Sequence, residues 1–171
     1  INTWYDEHQK GNLDAILSNT SGCGTTMKDY GFIFKDDEEM KKKAKVISEL
    51  TKDVSEYLSK SIKLNFKAKE KKYKIAYHSA CSMQHGQKVH DQPVSLLNKT
   101  ENEIMEIPEG HICCGSAGTY NILQTEIAKE LLSKKVKNIE SLKPDFISTG
   151  NIGCITQISN GTKTPILHTI E

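Results

Sequence analysis

The chain has almost no net charge: 23 Lys and Arg against 22 Asp and Glu leave +1 over 171 residues. A nucleic-acid or membrane partner selected by bulk charge is therefore not indicated. Long apolar runs are missing too. Uncharged apolar stretches such as Ile75–Tyr77 and Pro165–Leu167 fall far short of the roughly 20 residues that a bilayer-spanning helix needs. The start, Ile1-Asn2-Thr3-Trp4, lacks the basic-then-apolar order of a secretory leader. With no leader and an odd count of five cysteines, two of them adjacent, a disulfide framework is not expected. No Cys–His pair has an evident third member, so a cysteine hydrolase is not indicated either. Because the chain opens on Ile1, inside a helical pattern and without an initiator methionine, further sequence is expected upstream.

What the chain does have is thiols at telling intervals. Cys81 is followed after 31 residues (82 to 112) by the pair Cys113-Cys114, and after 39 more (115 to 153) by Cys154. Each lies at or near the end of a short apolar run: Cys81 in Tyr77-His78-Ser79-Ala80-Cys81, the pair in His111-Ile112-Cys113-Cys114-Gly115, Cys154 in Asn151-Ile152-Gly153-Cys154. Four thiols delivered from three loops point to a metal or iron-sulfur site.

The periodicity repeats one unit of helix, short apolar strand and cysteine loop. Asp14–Ser18 reads as a strand turning through Ser21-Gly22-Cys23-Gly24 into a helix over about 25–32. Asp36 and Asp37 open a single long amphipathic helix with Met40, Ala44, Ile47, Thr51, Val54 and Leu58 on one face. The lysine-rich stretch 67–74 reads as a solvated connection. Strands are expected at 73–77, 104–107 and 145–149. A helix over about 126–141, capped by Thr125, should bury Ile127, Leu131, Leu132, Val136 and Ile139.

Residues 14–23 and 145–154 align without gaps: six of the ten positions are identical or exchange Ser with Thr or Thr with Asn, and Gly22-Cys23 falls on Gly153-Cys154. A duplicated unit implies two similar lobes, the first truncated, in an α/β fold with a mostly parallel sheet and flanking helices. The boundaries expected are 1–66 for the remainder of the first lobe plus a connecting helix, and 67–171 for a complete second lobe. Loops at the carboxyl ends of parallel strands collect ligands, so the cysteines should converge there.

Iron-sulfur clusters are held by thiolates. Small residues beside the cysteines allow backbone amides to approach inorganic sulfur, and helices beginning just after Cys23, Gly118 and Cys154 would aim positive ends at an anionic group. Adjacent cysteines bind two irons of one cluster more readily than one metal ion. Zinc is the rival occupant, since four-thiol sites are common and His78, His85 or His111 could substitute. His78 and His111 are also placed to donate hydrogen bonds around such a site, whereas His85, His90 and His168 read as ordinary surface or core residues.

The spacing Cys81…Cys113-Cys114-Gly115…Asn151-Ile152-Gly153-Cys154 resembles the cysteine-rich "CCG" domain of heterodisulfide reductase subunits and related oxidoreductases. Within that group, residues 77–89 and Cys113-Cys114-Gly115-Ser116-Ala117-Gly118-Thr119-Tyr120 look like the iron-sulfur subunits of bacterial glycolate oxidases (glycolate dehydrogenases). The resemblance implies a cytoplasmic electron-transfer subunit, peripheral at the inner face of the cell membrane, that relays electrons from a flavin-containing partner toward quinone. It implies a [4Fe-4S] cluster on Cys81, Cys113, Cys114 and Cys154, with Cys23 a further candidate and zinc the alternative occupant. It implies no catalytic residue in this chain and no nucleic acid. The family's ferredoxin-like part and the opening cysteines of its first lobe are absent here. Two further readings stay open: a zinc-stapled docking module, and the equivalent subunit of a lactate, glycerol-3-phosphate or heterodisulfide-reductase-like enzyme. The full motif ends in Cys-x-x-Cys, but its first position is Asn151 here, and Thr20 in the first lobe. One thiolate fewer favours electron relay over disulfide cleavage.

Overall fold

The computed structural model describes residues 1–61 and 71–171, with two parallel sheets flanked by helices. The first half begins with α1 (Asn2–Gln9) and β1 (Ile16–Ser18), then α2 (Ser21–Lys28), α3 (Tyr30–Ile33) and α4 (Lys41–Leu50). β2 (Thr51–Asp53) pairs parallel to β1, with Ile16 opposite Thr51 and Ser18 opposite Asp53, and α5 (Val54–Ser61) follows directly.

The second half opens on β3 (Lys74–Tyr77), a π-helical turn over Ser82–Gln87 and α6 (Asp91–Asn98). Then come β4 (Glu103–Glu106), the short α7 (Tyr120–Leu123), α8 (Thr125–Glu140), β5 (Phe146–Thr149), α9 (Ile152–Ser159) and β6 (Ile166–His168). The sheet order is β4-β3-β5-β6 and every pairing is parallel. β3 hands on to β4 on one side, while β5 lies on the other, so the order reverses between β3 and β5. Crevices at the carboxyl ends of strands flanking such a reversal are where open α/β sheets bind ligands. Ala76 and Ile147, at the middle of β3 and β5, are fully buried and pack with Ile139 of α8 and Ile158 of α9.

Three expectations need correction. The long helix from Asp36 is two helices, α4 and α5, interrupted by β2. Its apolar spacing is right, but Thr51 and Asp53 are claimed by pairing with β1; Thr51 Oγ1 closes α4 on the Ile47 carbonyl at 2.8 Å, and the Asp53 carboxylate accepts the Ser55 backbone N–H at 2.9 Å to start α5. Second, α2 and α9 begin before Cys23 and Cys154, not after them, so each cysteine lies in its helix's first turn. Third, the buried face of α8 is Ala128, Lys135, Val136 and Ile139, leaving Ile127 48% exposed. Thr125 does not cap that helix; its hydroxyl donates to the Ile122 carbonyl instead. The π-helical turn, α6 and β6 were not foreseen. Half of the lysine-rich stretch, residues 67–70, and the 66/67 boundary lie outside the described residues.

Candidate metal centre

All three cysteine loops end at the crevice between β3 and β5. Cys81 stands four residues past β3, at the head of the π-helical turn; Cys154 stands in the first turn of α9 just past β5; Cys113 and Cys114 lie in the loop after β4. π-Helical turns recur at functional sites because the wider turn re-aims side chains. The Cys-Cys loop doubles back at Gly115, whose φ of +92° only glycine adopts without strain; a Cβ there would run into the Ala128 carbonyl oxygen of α8. α8 can therefore lie directly against the loop.

The four thiols act on one another in sequence, Cys81 with Cys113, Cys113 with Cys114, and Cys114 with Cys154, and the Sγ atoms of the last two lie within 4.8 Å. All are free, so none is used in a disulfide. Cys114 and Cys154 are 1% and 2% exposed and belong to the apolar core, whereas Cys81 and Cys113 are half-buried. Contact among four thiols splits their acidity. The bond with Cys113, then burial, pushes Cys81 far up; bonds with Cys113 and Cys154 do the same to Cys114. Bonds to Cys114 and Cys81 hold Cys113 well below the usual thiol range, and the Cys114 contact brings Cys154 down to about 5. Four thiolates this close are stable together only with a cation among them.

Other groups converge on the sulfurs. The Gly115 backbone N–H donates to Cys113 Sγ at 3.4 Å, and the Asn151 side-chain amide donates to Cys154 Sγ at 3.4 Å. His78 continues the β3–β5 pairing, its N–H donating to the Ser148 carbonyl at 2.8 Å. His78 is 1% exposed, and among the described residues neither of its ring nitrogens has a hydrogen-bond partner. One ring nitrogen, Cys114 Sγ and Cys154 Sγ all lie within 4.8 Å of one another. From there the ring favours the Cys154 thiolate. A buried imidazole with both nitrogens unpaired is costly. Four soft thiols and an unanswered imidazole on one crevice make a donor set that fits a thiophilic metal group.

Cys23 is exposed in the first turn of α2 and bonds to none of the other four cysteines. His111, His85 and His90 are exposed; His168 bonds the Asn19 carbonyl through Nε2 at 2.7 Å. Lys135, fully buried beside this site, was not foreseen. One lysine among many on an amphipathic helix carries no signal beyond its position on the core face, next to Val136.

Residues 75–159 match the profile of the CCG family, a cysteine-rich domain, and this segment of the chain is a CCG domain. Among individual proteins, it is 36% identical over all of its length to the glycolate oxidase iron-sulfur subunit of Escherichia coli, covering 42% of that protein. It is also 24% identical to lactate utilization protein A of a Geobacillus species, over 88% of this chain and 63% of that one. Lactate utilization protein A of Anoxybacillus flavithermus is 27% identical over 84% of this chain and 60% of its own. The chain thus spans about two fifths of the first relative and about three fifths of the other two.

Proposed function

We propose that this chain is an iron-sulfur electron-transfer segment in a complex that oxidises a small 2-hydroxy acid, glycolate first. The observation that carries the reading is the delivery of four free thiols, Cys81, Cys113, Cys114 and Cys154, from the carboxyl ends of β3, β4 and β5 at the sheet's reversal point. Those four cysteines would hold the cluster, of [4Fe-4S] type, which when bound supplies a one-electron carrier. Cys114 and Cys154 anchor it from the core; Cys81 and Cys113, half-exposed, form the side from which an electron enters or leaves. Asn151 and Gly115 donate to thiolate sulfur and His78 faces it from within, which favours the anionic group in a dry crevice.

Glycolate is favoured by the name of the Escherichia coli relative, and lactate, also a 2-hydroxy acid, is the competing substrate. A flavin-containing subunit would deliver the electrons, and the quinone pool would receive them at the inner face of the membrane. No helix among the described residues is long and apolar enough to cross that membrane. Residues 1–66 serve as the remainder of a first lobe and 67–171 as the second. That reading is supported by the matched starts of α2 and α9, entered through extended Thr20 (φ −132°, ψ 112°) and Asn151 (φ −147°, ψ 120°).

A second reading, a zinc-stapled docking module, is favoured by the compact trio His78, Cys114 and Cys154. Metal analysis separates the two. Full chain reconstituted anaerobically with ferrous iron and sulfide should hold both in near-equal amounts, turn brown and give a paramagnetic signal on reduction. Cys114→Ser should lose most of its iron. One equivalent of zinc with no iron, or an unchanged cluster in Cys114→Ser, would rule out the four-thiol cluster.

A further inference from the structure

Lys135 is the largest fully buried side chain among the described residues, 1% exposed, in the middle of α8. Its ammonium donates to the carbonyl oxygens of Glu109 at 3.2 Å and Gly110 at 3.4 Å, just ahead of Cys113-Cys114. No carboxylate pairs with it among the described residues: the Glu109 carboxylate points instead to Lys134 Nζ at 2.7 Å and the Asn138 amide at 3.2 Å. Burial pushes the Lys135 pKa down, and the charges of Cys114, Cys113 and Cys154 act against that. A buried ammonium is tolerable only where an anion answers it. The charge of the sulfur site acts on it more strongly than the Glu109 carboxylate does.

We propose that Lys135 is the internal counter-ion of the metal centre, a positioning residue that fixes the loop carrying Cys113-Cys114 and raises the reduction potential of the cluster bound there. This inference rests on the cluster reading above. Reduction adds one negative charge to the bound group, and a fixed positive charge in a low-dielectric interior stabilises the reduced state more than the oxidised one. The two roles are separable in this fold. Asn138 also holds the loop, donating to the Pro108 carbonyl at 2.8 Å, and Lys134 pairs with Glu109, so the loop keeps two tethers when the Lys135 charge is removed. A glutamine can still donate toward the Glu109 and Gly110 carbonyls, without the charge.

The test compares the full chain with Lys135→Gln and Lys135→Arg, each reconstituted anaerobically with ferrous iron and sulfide and titrated at one fixed pH. Metal and sulfide are counted first. Lys135→Gln should keep its iron, yet at the potential where the wild type is half reduced its reduced-to-oxidised ratio should fall on the order of tenfold, a midpoint about 59 mV lower for one electron. Lys135→Arg should stay within about twofold of the wild type, because its charge is kept. A Lys135→Gln protein with full iron and the wild-type midpoint would overturn the proposal while leaving the cluster reading intact. A shift in Lys135→Arg as large as in Lys135→Gln would also overturn it, by tracing the effect to packing. Should Lys135→Gln lose its iron, retention by Lys135→Arg supports the counter-ion role and loss from both sinks it. Wild-type protein that takes up no iron removes the cluster reading and this one together.

Discussion

Gly115 and Asn151 do the work around the sulfurs that the cysteines cannot do for themselves. Gly115 combines a φ of +92° with a backbone approach to α8 that leaves no room for a Cβ. Gly115→Ala should therefore destabilise the protein by about 2–4 kcal/mol, part from the left-handed backbone and part from the collision with Ala128. Urea unfolding of the metal-free chain measures this, and a loss under about 0.5 kcal/mol would show that the loop relaxes freely. At this scale the four cysteines were legible because thiols at such spacing have few other uses. Asn151 was legible as a missing thiol, but not as a donor to Cys154, which depends on how α9 begins. Lys135 was hidden because its meaning comes from a helix rotation that carries Ile127 outward and a lysine inward.

Among elements, the break between α4 and α5 shows where pattern reading stops. Positions 40 to 58 keep helical spacing throughout, and only pairing with β1, distant in sequence, reveals three of them as a strand. The break brings Glu56 of α5 to Lys28 at the end of α2, where they pair at 2.7 Å with side chains 15% and 20% exposed. Burial alone would raise the Glu56 pKa, but the Lys28 ammonium, helped by Lys52, holds it below its ordinary 4.5. A carboxylate with a lowered folded-state pKa adds stability above its unfolded value, and that stability is lost as pH falls through the folded value. Glu56→Gln should thus cost about 1 kcal/mol at pH 7, and the gap to the wild type should close as the pH drops below about 4.5. Urea unfolding at pH 7 and in acid checks it; an equal gap at both would assign the loss to packing instead of charge.

For the whole molecule, the question is how the smaller sheet bears on a metal centre built in the larger one. Strands β1, β3, β4 and β5 and their mostly parallel direction were readable from the alternation of helices and strands, whereas β2, β6 and the docking of the halves were not, and that docking rests in part on small polar residues with no pattern. Ser21 N–H donates to the Gly150 carbonyl at 3.1 Å, Ser21 Oγ meets Ser82 Oγ at 2.7 Å, and Gln87 Nε2 donates to the Ser21 carbonyl at 2.9 Å. The start of α2 thereby touches the residue after Cys81 and the residue before Asn151 at once. Thr25 completes the joint, its hydroxyl 3.1 Å from the Ser82 carbonyl, and Gly86 lets it approach: a Cβ on Gly86 would lie 2.7 Å from Thr25 Cγ2. Thr25 is β-branched and held in a helix, so it cannot swing aside cheaply. Gly86→Ala should therefore pry α2 from the π-helical turn, lowering stability by about 1–3 kcal/mol. Because that turn carries Cys81, the variant should also surrender iron to a chelator several-fold faster than the wild type, on the order of the population of the opened joint, although no thiol has changed. Equal release rates alongside the stability loss would mean that the metal centre stands independently of the first half of the chain.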